Sequence, residues 1–287
     1  MSRRAPLPVR DGLGPARVRL HGGSVYDEFE RRWGAGAKVL AGEVVCASGA
    51  VVTPATVLPA GAHVFFYREL PDEVEVPFDI PVLYRDDDIV VVDKPHFLAT
   101  MPRGRHVAQT ALVRLRRSLR LPELSPAHRL DRLTAGVLLF TVRREVRGAY
   151  QSLFARGQVH KTYHAVAQGV PTVELPVTVR NRIVKRRGVL QAVVETGEPN
   201  AEKLVESLGG ERYRLTSSTG RTHQLRVHMC GLGVPICGDP LYPDVIDVAP
   251  EDFSSPLQLV AYSLEFEDPL TGQPRRFVSE RELPGVE

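Results

Sequence analysis

Two short stretches, Ile89-Val90-Val91-Val92 and Gly136-Val137-Leu138-Leu139-Phe140-Thr141-Val142, are apolar at almost every consecutive position. Successive side chains of a strand point to opposite faces, so such a run needs a sheet covered on both sides. Neither run approaches the roughly 18 residues that a membrane-spanning helix requires. Between and after them the pattern alternates. Val107, Ala111, Leu115 and Leu119 recur at four-residue spacing, which predicts a helix over 106–121. Val146, Tyr150, Leu153 and Phe154 mark another helix, which Gly157 ends. Strands are expected at 163–166, 213–216, 257–266 and 276–278, with a helix over 222–232. The order predicts an α+β (mixed α/β) domain with a large central mixed or antiparallel sheet flanked by helices.

Upstream, residues 1–16 carry Pro6, Pro8, Gly12, Gly14 and Pro15 and read as a flexible tail. Residues 17–70 form a small α/β unit, with a helix over 25–33. The acidic stretch 71–79, with Pro71 and Pro77, reads as a linker. The larger domain then spans 80–287.

The net charge of +3 conceals segregation along the chain. Residues 69–93 hold nine acids against Arg85, whereas 101–130 hold seven arginines against Glu123. A further ten basic residues fall within 141–190, and 241–287 turns acidic again. Blocks of arginine suit bidentate phosphate contacts and stacking on bases, which points to a polyanionic partner. Three cysteines without a CxxC pair argue against a disulfide framework and a zinc ribbon. The basic start has no apolar core behind it, so no secretory signal is expected, and a cytoplasmic location follows.

Several motifs are missing. The chain contains no GxxxxGK[ST] phosphate loop, no GxSxG elbow, and no GxGxxG between a strand and a helix. His223 and His228 are five apart, so they point to different sides of a helix and suit no shared metal. No metal, nucleotide or other cofactor site is expected.

Three clusters could carry chemistry. In His128-Arg129-Leu130-Asp131-Arg132-Leu133-Thr134-Ala135-Gly136, a carboxylate sits between arginines on a turn at the mouth of the sheet. Guanidinium neighbours favour its ionised form, as a base or nucleophile requires; a salt-bridged turn fits the same pattern. In Gly220-Arg221-Thr222-His223-Gln224-Leu225-Arg226-Val227-His228, either arginine suits a carboxylate brought from elsewhere, a phosphate, or a basic surface helix. Lys161-Thr162-Tyr163-His164-Ala165 places an aromatic on a strand beside basic residues, where core packing is the ordinary role.

Together and in this order, with Leu83 to Pro95 ahead and Pro235-Ile236-Cys237-Gly238-Asp239 behind, these clusters resemble the RluA family of pseudouridine synthases. Those enzymes isomerise uridine in ribosomal and transfer RNA. The resemblance covers about residue 80 to the end and implies a pseudouridine synthase catalytic domain. It implies that Asp131 is the essential aspartate, Tyr163 the tyrosine that packs on the base, and Arg226 the arginine that pairs with Asp131. Leu225 would line the uracil pocket and Arg129 would enter the RNA stack where the base has left. Arg221 and His223 accompany them as substrate-binding residues.

Asp93, His96-Phe97, Ala135 and Leu259-Val260-Ala261 depart from the usual family pattern, with His96-Phe97 at the expected pocket rim. Residues 42–64 are similar to the second half of the small RNA-binding domain, named after a ribosomal protein, that precedes many members. The basic helix of that domain is represented only by Arg31, Arg32 and Lys38, so 17–70 reads as a degenerate copy. Isomerisation consumes no electrons and no donor, which agrees with the absence of cofactor motifs. The expected partner is ribosomal or transfer RNA. A monomer is expected because no sustained heptad or long exposed apolar stripe appears. The alternative is an RNA-binding protein that kept the fold and lost the activity.

Overall fold

The structure is a computed structural model that describes residues 5–70, 72–217 and 219–283. Arg3 and Arg4 of the expected tail, and Pro71 of the expected linker, lie outside the described residues. Two compact units divide the chain between Asp72 and Glu73.

In the first unit, strands β1 (Ala16–Arg19), β3 (Val45–Cys46) and β5 (His63–Phe66) form an antiparallel sheet in the order β1-β5-β3. A two-stranded ribbon joins β2 (Gly23–Ser24) to β4 (Val57–Leu58). Helices α1 (Val25–Trp33) and α2 (Gly36–Leu40) cover the core. Ser24 caps α1 by accepting from the Asp27 amide, and Gly34 ends it in a left-handed conformation, φ 59°. The tail expected to be loose is held from Pro8 onward. The Tyr67 hydroxyl donates to the Pro8 carbonyl at 2.6 Å, and the Arg10 guanidinium lies 4.1 Å from the Tyr67 ring centroid.

The second unit carries strands β6 (Val82–Arg85), β7 (Ile89–Lys94), β8 (Ser125–Pro126), β9 (Ala135–Thr141), β10 (His160–Val166), β11 (Val177–Val184), β12 (Val193–Glu195), β13 (Ala201–Gly209), β14 (Arg212–Ser217), β15 (Leu259–Glu267) and β16 (Pro274–Val278). They form one mixed sheet in the order β12-β11-β13-β14-β10-β15-β9-β7-β6, with β16 on β15 and β8 on β9. Among the described residues β9 and β15 pair in parallel, and the other pairings are antiparallel. Helices α3 (Ala111–Ser118), α4 (Arg147–Ala155) and α5 (Gln224–Gly231) complete the unit.

The two apolar runs are the adjacent strands β7 and β9, buried at every position. Val90, Val92, Leu138 and Phe140 enter one core, while Ile89, Val91, Val137 and Leu139 enter the other. Each such side chain contributes about 1.5–3 kcal/mol by burial, which holds the register against a one-residue slip.

Differences from the sequence reading have local causes. From Glu73 the expected linker is docked onto the second unit. The Glu73 carboxylate accepts from the backbone N–H groups of Val107, Ala108 and Gln109 at 2.7–3.0 Å. The same contact shortens the helix expected over 106–121, because those amides are turned toward Glu73; Thr110 then caps α3. Strands β11, β12 and β13 occupy 177–209, where the sequence alone predicted no element. Their outward positions carry Arg180, Arg182 and Glu202, and the polar alternation of a half-exposed strand hides a short apolar face.

Candidate active site

The turn between β8 and β9 is held by side chains from the end of β7 and the chain just after it. The Lys94 ammonium, fully buried, donates to the carbonyls of Pro95, Leu98 and Arg132 at 2.9, 2.8 and 3.3 Å. His96 Nδ1 donates to the Leu133 carbonyl at 2.8 Å, and the Thr100 hydroxyl donates to that of Leu130, also at 2.8 Å. The carbonyls of residues 130, 132 and 133 are thus each tied down, which fixes the backbone around Asp131. His128 stacks on Phe154 at 4.3 Å and accepts from the Leu139 amide. Burial pushes its pKa to about 3, so it stays neutral and serves as an anchor. Gly136, the second residue of β9, takes φ +108° against β15. A Cβ there would stand 2.3 Å from the Ala261 carbonyl oxygen, so only glycine lets β9 pair beneath the turn.

All seven residues singled out from the sequence line one cleft of about 480 Å³. Asp131, Tyr163 and Arg226 come from the turn, β10 and α5; Arg129, Leu225, Arg221 and His223 complete the set. The Asp131 carboxylate is half-buried and makes no hydrogen bond or ion pair among the described residues. Burial, followed by the Asp131 charge, pushes the Tyr163 phenol above its ordinary range. Arg103, His106 and Lys161 add to the basic wall. Arg129 is exposed at the cleft and pairs with nothing among the described residues.

One pairing differs from expectation. Arg226 does not form its ion pair with Asp131. Its guanidinium, 2% exposed, grips Asp239 in two-pronged fashion, with Nε donating to Oδ2 at 2.7 Å and Nη2 donating to Oδ1. Asp239 also accepts from the amides of Leu241 and Tyr242 at 2.8 and 3.2 Å. The carboxylate brought from elsewhere is therefore the last residue of the Pro235–Asp239 element, to which the sequence alone assigns no role. His223 takes a left-handed conformation at the start of α5, φ 57°, and its Nδ1 lies 3.0 Å from the Tyr242 hydroxyl. The Arg221 side chain donates to the Asn200 carbonyl at 3.0 Å. Among the described residues no three His, Cys, Asp or Glu side chains group as metal ligands, and no helix is long and apolar enough to cross a membrane.

Comparison with known proteins bears on this cleft. The RNA pseudouridylate synthase family matches residues 88–230, which include Asp131, Tyr163 and Arg226. Ribosomal large subunit pseudouridine synthase D of Vibrio vulnificus is 31% identical over 268 residues, spanning 83% of this chain and 79% of that protein. The chain belongs to the RNA pseudouridylate synthase family. Its activity class is RNA pseudouridine synthase, an isomerase. Dual-specificity RNA pseudouridine synthase RluA of Salmonella typhi is 33% identical over 207 residues and is covered to 90%. Human pseudouridylate synthase RPUSD2 is 36% identical over 171 residues, but the chain spans only 31% of its length. The solved human RNA pseudouridylate synthase domain containing 1 superposes with a TM-score of 0.57 at 25% identity, covering 74% of this chain and 86% of that one. The pseudouridine synthase sheet expected from the sequence is thus the fold observed.

Proposed function

We propose that this cleft converts a uridine of ribosomal or transfer RNA to pseudouridine, with Asp131 as the reacting carboxylate. One observation carries the assignment to Asp131. It is a carboxylate in a basic cleft left without a hydrogen-bond or ion-pair partner among the described residues, on a turn whose carbonyls at 130, 132 and 133 are held. An acid with a purely structural role is paired, as Asp239 is. Moving uracil from N1 to C5 breaks and re-forms one glycosidic bond without change of oxidation state, so the reading needs no cofactor. Asp131 attacks the sugar or base, or removes a sugar proton. Tyr163 packs on the ring near the site of C5 proton loss, and Leu225 lines the base. Arg226, locked to Asp239, walls the cleft beside them.

The target base must leave its stack at a cost of a few kcal/mol. Arg129, unpaired among the described residues, suits with the exposed Arg103 the vacated stack and the phosphates around it. The small unit 17–70 is read as a degenerate RNA-binding domain, and the whole as a cytoplasmic monomer. RNA tritiated at uracil C5 tests the reading, because isomerisation releases that tritium to water. Release by the wild type that is lost in Asp131→Ala supports it. Binding of RNA without release from either ribosomal or transfer RNA sinks it in favour of a binding protein.

A further inference from the structure

One side of the Tyr163 ring faces the cleft; against the ring also lies Lys203, which does not line that cleft. It stands on β13 between the buried Ala201 and Val205, is 1% exposed, and is absent from the cleft wall that Tyr163 lines. Its Nζ lies 4.6 Å from the Tyr163 ring centroid and has no hydrogen-bond partner among the described residues. The other titratable groups facing it offer no negative charge. They are Lys161 on β10 and His228 on α5, whose Nε2 donates to Asn181 Oδ1 at 2.9 Å. Burial first, and then the Lys161 charge, hold the Lys203 ammonium well below its ordinary range.

A methionine would fill this space without a polar atom, so the orphaned amine costs stability. A buried polar group left unpaired calls for an explanation, and a cost kept beside a reacting residue is one that function can retain. The group within reach of Nζ that can acquire negative charge is the Tyr163 phenol. A ring face already attracts a cation, and a phenolate attracts it more strongly.

We propose that Lys203 is a positioning residue for Tyr163: it packs on the ring and supplies the compensating positive charge when the phenol ionises to act as a base. The step is the loss of one proton from Tyr163: its O–H bond breaks, the proton passes through the cleft to water, the Lys203 ammonium keeps its N–H bonds over the ring, and the charge of the pair falls by one. This role rests on the reading of Tyr163 given above.

The test compares wild type, Lys203→Met and Lys203→Arg for tritium release between pH 6 and 9, together with thermal unfolding. Lys203→Met keeps the packing and removes the amine, so it should unfold at or above the wild-type temperature. Its kcat should fall about tenfold, the scale of a desolvated cation–π contact, with KM within about twofold. The rise of kcat with pH should move up by about one unit, because an unsupported phenol ionises later. Lys203→Arg, which keeps a cation, should recover most of the rate. A Lys203→Met enzyme with wild-type kcat and pH profile overturns the proposal. So does a loss that tracks a lower unfolding temperature and that arginine leaves unrelieved. No release by the wild type sinks the reading of the cleft, and this role with it; release by the wild type with Lys203→Met indifferent sinks this role alone.

Discussion

Asp131 and Asp239 are the two acids that matter to the cleft, and their surroundings are opposite. Asp239 is buried, gripped by two donors of Arg226 and capped by two backbone amides. Among the described residues Asp131 has no hydrogen-bond or ion-pair partner, yet the chain on either side of it is fastened by Lys94, His96 and Thr100. The 219–242 segment uses its carboxylate to hold architecture. The 128–136 turn uses its neighbours' carbonyls for that purpose and leaves the carboxylate available. An electrostatically preorganised site needs both conditions, a fixed backbone and an unspent charge.

Exchanging an aspartate at each site should therefore separate activity from stability. Asp131→Asn should lower tritium release by about 10²–10⁴-fold, the usual weight of a reacting acid or base. Its urea midpoint should stay near that of the wild type, since no described contact is lost. Asp239→Ala should do the reverse first. It strands a buried guanidinium at a cost of about 3–5 kcal/mol, which urea unfolding would register as a large shift in midpoint. A stable Asp239→Ala protein, or an Asp131→Asn protein that unfolds early, would break the distinction.

Acid should strain the Asp131 turn before the Arg226 helix. Burial lowers the pKa of His96 to about 4, of His128 to about 3 and of His228 to about 4. Two of these histidines fasten the turn and one lies on α5. Each is neutral in the folded chain, whereas the unfolded chain takes up its proton below about pH 6.5. The unfolded state then binds more protons, so stability falls as pH drops from about 6.5 toward 4, by up to about 1.4 kcal/mol per pH unit for each histidine. His128→Gln keeps an acceptor for the Leu139 amide without titrating. It should flatten the acid slope of urea unfolding by about one proton, 1.4 kcal/mol per pH unit; an unchanged slope would show that His128 is not held neutral.

The two-sided sheet was legible because β7 and β9 are buried on both faces, and a continuous apolar run has few other solutions. The cleft residues were legible because a turn, a strand and a helix each carried a short run of unusual composition. Partners across the chain were not. Arg226 was visible, but its choice of Asp239 over Asp131 depends on how the 235–242 loop returns beneath α5. Lys203 carried no local signal, since one lysine in an alternating strand looks like an outward residue until its neighbours are placed. Glu73 read as one more acid in a linker because its partners are backbone amides, which sequence does not display.

The smallest effect concerns Arg129, the exposed neighbour of Asp131. The side chain is exposed and makes no hydrogen bond or ion pair among the described residues, so Arg129→Ala should unfold like the wild type. If it meets a phosphate, the variant loses one released counterion, and the slope of log affinity against log salt should drop by about 1. If it enters the stack vacated by the base, the loss is instead felt in kcat, with a nearly unchanged salt slope, because a guanidinium in the stack helps keep the base flipped out. The two results divide the turn differently. The first makes Arg129 part of the basic wall shared with Arg103. The second makes it, with Asp131, part of the machinery that acts on the uridine.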